Sequence, residues 1–153
     1  MKNVNLLTRF ILSLLVVVSC SALSCSDDDD NKNMGQLQST MLSGAQEVPA
    51  NTSQAMGTIS GTYNKDTNLL SYTLSFSGLS PAATAAHFHK APAGQNGPVV
   101  VPIGSSPLTS PVTAQATLTD EQETDLLAGM WYVNVHSTTY PGGEIRAQIM
   151  ITN

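Results

Sequence analysis

Charge is sparse in this sequence: 11% of its 153 residues are Asp, Glu, Lys or Arg, and only six of those are basic. With no basic patch and a pI near 4.8, the chain has little to set against a phosphate backbone, which excludes nucleic acid as a partner. Cysteine is scarcer still. Cys20 and Cys25 are the two present, and no cysteine follows them, so no disulfide staples a domain and no thiol nucleophile serves one. No apolar run reaches the roughly 20 residues that a membrane-spanning helix needs. A phosphate-cradling glycine loop is also missing, and the many serines lie in no motif that activates one as a nucleophile. A chain this poor in charge and rich in Ser, Thr, Ala and Gly suits a single extracytoplasmic β-domain.

The first residues read as a secretory leader, 1–24: "MKNVNLLTRF" carries Lys2 and Arg9, and "ILSLLVVVS" supplies a short apolar run. Its removal leaves four basic side chains against eleven acidic ones. Small residues before a cysteine, as in "VVVSC" and "SALSC", resemble a bacterial lipobox, whose cysteine becomes the lipidated N-terminus. Cys20 fits the local pattern, but Cys25 runs directly into "SDDDD", which resembles the acidic export tag of surface lipoproteins. Cys25 is therefore the expected lipidation site, with Cys20 the alternative. Residues 25–36 form an acidic tether, since adjacent carboxylates repel one another and stay solvated. These features imply an outer-membrane lipoprotein at the cell surface, or otherwise facing the periplasm, that touches the membrane through its lipid alone.

From Leu37 onward, apolar residues recur with period two. "LLSYTLSFSG" puts Leu70, Tyr72, Leu74 and Phe76 on one face. "MWYVNVHS" does the same with Trp131, Val133 and Val135, and "GEIRAQIMI" with Ile145, Ala147, Ile149 and Ile151. Such alternation marks strands with one face buried and the other exposed. Weaker strand patterns cover 37–43, 55–63, 84–90, 98–103 and 112–118, and the turns "NKDTN" and "TTYPGGE" join neighbours as hairpins. In "TDEQETDLLAG", Thr119 and Gln122 form a capping box and Gly129 a stop, which predicts one short helix. About eight strands with turns between them indicate an antiparallel sandwich over 37–153.

Three stretches together resemble the CHRD domain, named from chordin: "LSGAQEVPA" (42–50), "AAHFHKAPAGQNGPVV" (85–100) and "WYVNVHSTTYPGGEIRAQI" (131–149). The resemblance implies an all-β, immunoglobulin-like antiparallel Greek-key sandwich related in architecture to copper/zinc superoxide dismutase. It also implies a secreted binding or structural module, as chordin binds growth factors. It names no partner for a bacterial member; a protein or a glycan is expected, with Tyr132 and Tyr140 as the candidate exposed aromatics for a sugar.

The chain has three histidines, and period two places them together. His87 and His89 lie opposite Phe88, and His136 lies opposite Trp131, Val133 and Val135, so all three are expected to face away from the core. If the two strands are neighbours, three imidazoles converge on one patch, a donor set that suits copper or zinc. His87 and His89 match the His-x-His pair of the superoxide dismutase site, and His136 matches its late histidine. A fourth histidine is missing, and with it the bridge to a second metal. Arg146 reads as an exposed strand residue paired with Glu144. Two functions follow: a non-enzymatic binding or structural module, or a copper- or zinc-binding protein with a superoxide dismutase-like site. The histidines have a structural use as well, hydrogen bonding to the loops "PAGQNGP" and "TTYPGG".

Overall fold

A computed structural model describes residues 33–152. The leader 1–24, Cys20, Cys25 and the acidic run of the tether lie outside these residues. Within them are nine strands and one α-helix. Strands β1 (Met34–Ser43), β2 (Met56–Asn64), β3 (Leu69–Ser77) and β6 (Val112–Thr117) are adjacent in the order β1-β2-β3-β6. Strands β4 (Ala83–Lys90), β5 (Val99–Ser105), β7 (Trp131–Ser137) and β8 (Ile145–Gln148) run β5-β4-β7-β8. β6 returns beside β3 and β7 beside β4, which is Greek-key connectivity.

The two groups meet at one bridge, Ser43 opposite Arg146, and β9 (Ile151–Thr152) pairs with the start of β1. At that seam the sheet folds over on itself. Tyr72 of β3 meets Phe88 of β4 edge-on, with ring centroids 5.0 Å apart, although five steps of the strand order separate them. The expected all-β sandwich is thus the observed fold. β1 begins three residues earlier than its apolar pattern suggests, because Met34 to Gln36 pair with Thr62 to Asn64 in the ladder to β2.

The core is built from the faces that period two selects. Leu42, Ile59, Leu70, Leu74, Phe88, Trp131, Val133, Val135, Ile145 and Ile149 are fully buried. Each such side chain contributes about 1.5–3 kcal/mol relative to exposure. The helix α1 (Asp120–Leu127) forms where its caps specify. Thr119 Oγ1 accepts from Gln122 N at 3.2 Å, and Gln122 Oε1 accepts from Thr119 N at 3.0 Å. Gly129, at φ 70°, ends it. Leu126 anchors the helix in the core, while Lys90 pairs with Asp125 at 2.6 Å and ties it to the end of β4.

Candidate metal centre

β4 and β7 are antiparallel neighbours, with His89 opposite Tyr132, His87 opposite Asn134 and Ala85 opposite His136. Phe88, Val133 and Val135 point into the core, so His87, His89 and His136 share the other face. Two irregularities in the β4–β5 pairing bracket His87 and Phe88. Bulges of this kind re-aim side chains. One nitrogen from each of the three rings lies within 4.8 Å of the others. His87 Nδ1 is 3.1 Å from His136 Nε2, and the rings of His87 and His89 meet edge-on with centroids 5.6 Å apart.

The outer face is not open to solvent, contrary to the alternation of the sequence. All seven residues of β7 are buried, and His89 and His136 are only 8% and 9% exposed. Loops fold over this face and supply the polar partners. His136 Nδ1 lies 3.0 Å from Pro141 O, and His89 Nδ1 lies 3.0 Å from Gly97 O.

These contacts fix tautomers. A carbonyl oxygen only accepts, so Nδ1 carries the proton in both His89 and His136, and Nε2 is left as an acceptor. The Nε2 of His136 therefore accepts a hydrogen bond from the Nδ1–H of His87. The Nε2 of His89 is buried and has no partner. Leaving such an acceptor unmet costs about 1–3 kcal/mol, which a bound ion would relieve. Burial, reinforced by repulsion from His89, lowers the pKa of His87 below 6.5. Burial also lowers that of His136 against the opposing Pro141 bond, and His87 and His89 add to the effect. Both rings are therefore neutral at pH 7, as ligands must be.

The donors fit a transition metal. Around a tetrahedral ion with bonds of about 2.0–2.1 Å, neighbouring donors stand ~3.3 Å apart. The His87–His136 pair stands close to that spacing at 3.1 Å, and His87 would join as a ligand once its Nδ1 proton moves to Nε2. An all-imidazole set suits copper or zinc rather than hard cations. Three protein ligands leave one position open, and among the described residues no fourth His, Cys, Asp or Glu joins the cluster.

Arg146 departs most from its sequence reading. It is 2% exposed and makes no pair with Glu144. Its Nη2 donates to Gln95 O at 2.7 Å and its Nη1 to Asn96 Oδ1 at 3.0 Å, while its guanidinium carbon sits 3.4 Å from the centroid of the Tyr132 ring. Tyr132 stacks on His89, with centroids 4.7 Å apart and planes within 6°. At 3% exposure it is no exposed aromatic for a sugar. Glu144 turns instead to Ser53 Oγ at 2.7 Å and Ser80 N at 3.2 Å. The strand pattern misplaced these residues because it assumes that the outer face of β8 meets water.

Glu47, in "EVPA", is a further buried ionisable group. Burial raises its pKa to about 7, against the pull of Arg146 and a hydrogen bond from the Val48 backbone. Its Oε1 has no hydrogen-bond partner. It packs where Gly143 (φ 135°) passes: a Cβ on that glycine would strike Glu47 Oε1 and come within 2.7 Å of Asn134 Nδ2.

The model of the CHRD domain matches residues 38–149. The chain belongs to the CHRD domain family. No curated protein and no solved structure matches it significantly. The CHRD match takes in both histidine strands and the loops over them, so the imidazole cluster sits inside the family's own domain. Sequence reasoning brought the three histidines of this CHRD domain to one face but missed the Arg146–Tyr132 stack and the role of Glu47. The one available signal was "PAGQNGP", a loop that follows His89 closely enough to fold back on it.

Proposed function

We propose that this CHRD domain is a non-enzymatic extracytoplasmic binding module that takes one copper or zinc ion on His87, His89 and His136. The observation that carries the metal reading is the convergence of three imidazoles, one nitrogen of each within 4.8 Å of the others, at a buried His89 whose Nε2 has no partner. Carbonyl groups behind His89 and His136 do what the outer shell of a metal site does, holding each ring in the tautomer that offers Nε2. A purely loop-pinning role accounts for the same two bonds. It leaves the Nε2 of His89 buried without use. Family membership supports the module reading. Lipid on Cys25 holds the module at the outer membrane, a reading supported by the leader and by the acidic run that follows that cysteine.

The test is the metal content of the mature chain after equilibration with micromolar copper or zinc and dialysis. Wild type is expected to retain one equivalent and His87→Ala/His89→Ala none. Equal retention by both proteins sinks the metal reading. Superoxide dismutation by the copper-loaded wild type, above that of the double variant, would overturn the non-enzymatic part.

A further inference from the structure

Arg146 is a buried cation, 2% exposed. Taking a guanidinium out of water is expensive unless its donors are matched, so the groups it meets show what its burial achieves. Gln95 O and Asn96 Oδ1 lie on the loop that follows β4, and the third contact is the Tyr132 ring. All three lead to His89. The same loop delivers Gly97, whose carbonyl accepts a hydrogen bond from His89 Nδ1–H and whose N–H donates to Tyr132 Oη at 3.3 Å. Tyr132 closes the circuit by stacking on His89. Asn96 Nδ2 also donates to Val48 O at 2.7 Å, and Lys90 N to Pro98 O at 3.0 Å, so the loop is held at both ends. Gly97 presses so closely on β4 that a Cβ there would collide with the Lys90 carbonyl.

We infer that Arg146 is the positioning residue of His89: by clamping Gln95, Asn96 and Tyr132 it holds the Gly97 carbonyl on His89 Nδ1 and so presents the Nε2 lone pair to a metal. A neutral histidine side chain in water prefers its proton on Nε2, the tautomer that cannot bind metal there. The Gly97 carbonyl reverses that preference only while the loop stays in place. Lysine cannot replace Arg146, since a single ammonium does not span two acceptors in a plane and lie flat on a ring. The inference rests on the metal reading for its purpose, but its first readout needs no metal.

Long-range ¹H–¹⁵N spectra of the metal-free mature chain report each histidine's tautomer. Competition with a chromophoric chelator reports zinc affinity. In Arg146→Gln, His89 is expected to shift toward the Nε2–H tautomer while His136, held by Pro141, keeps its Nδ1–H. Zinc affinity is expected to fall 10- to 100-fold. Asn96→Ala, at an exposed position, and Tyr132→Phe, which removes the acceptor for Gly97 N–H, are expected to shift the same tautomer partway. They carry the test if Arg146→Gln does not fold. An unchanged His89 tautomer in the folded variants overturns the inference, as does a tautomer shift with undiminished zinc affinity. A general loss of structure would disturb His136 equally. If wild type takes up no zinc, the metal reading fails alone, and the tautomer still decides the role of Arg146.

Discussion

Replacing Glu47 with glutamine makes the protein's stability respond differently to pH, by an amount the structure sets. The carboxyl has a pKa of about 7 in the fold and 4.5 without it. Between those values the folded chain holds the proton more tightly than the unfolded chain, so this group's contribution falls as pH rises through the window. At 1.36 kcal/mol per pKa unit, the wild type loses about 2.5 kcal/mol through Glu47 between pH 5 and pH 8. Glutamine carries no such term. Urea unfolding of both proteins at the two pH values, with a chelator present, gives the two differences in stability. Glu47→Gln is expected to gain on wild type by about 2.5 kcal/mol on going from pH 5 to pH 8, whatever its offset at pH 5. The lowered pKa values of His87 and His136 act in the opposite direction, favouring the unfolded chain as pH falls below 6.5. They are present in both proteins and cancel to first order. A difference that does not change with pH would show that Glu47 is ionised in the fold and would refute the argument from burial.

Phe88→Ala removes the ring that meets Tyr72 at 5.0 Å and Trp131 at 5.7 Å, and should cost about 3–5 kcal/mol in urea unfolding. Because burial lowers the pKa values of His87 and His136 below the usual 6.5, proton competition at these rings should weaken zinc binding chiefly on the acid side of that value; a decline centred above pH 7 contradicts their lowered pKa values. Cys25→Ala should abolish acyl labelling and membrane association, whereas retained labelling moves the anchor to Cys20.

Wherever one strand face meets the core, the fold could be read from alternation. Trp131, Val133 and Val135, or Leu70, Tyr72 and Leu74, are buried for the reason their spacing announces. The helix was equally plain, since Thr119 and Gln122 cap it through local bonds. The histidines were legible in part. Period two placed them opposite Phe88 and Val135, but the pairing of β4 with β7 is a long-range fact that no local pattern encodes. That the loops "PAGQNGP" and "TTYPGG" bond to the histidines was legible, but which atoms they use and what lies beyond them was not. Gly97 and Pro141 act through backbone carbonyls, which every residue possesses, and Arg146 looks like any polar residue on an outward face. Their roles arise only when loops distant in sequence close over β7.

The central claim is that His87, His89 and His136 act together as ligands of one ion. Imidazole ¹⁵N shifts recorded while zinc is added to the mature chain test it most directly. The account predicts that Nε2 of His89 and of His136, together with one nitrogen of His87, change in concert and saturate at one equivalent, while Nδ1 of His89 and His136 stay protonated. Imidazole signals that do not move at several equivalents, or that move independently and without saturation, would contradict it.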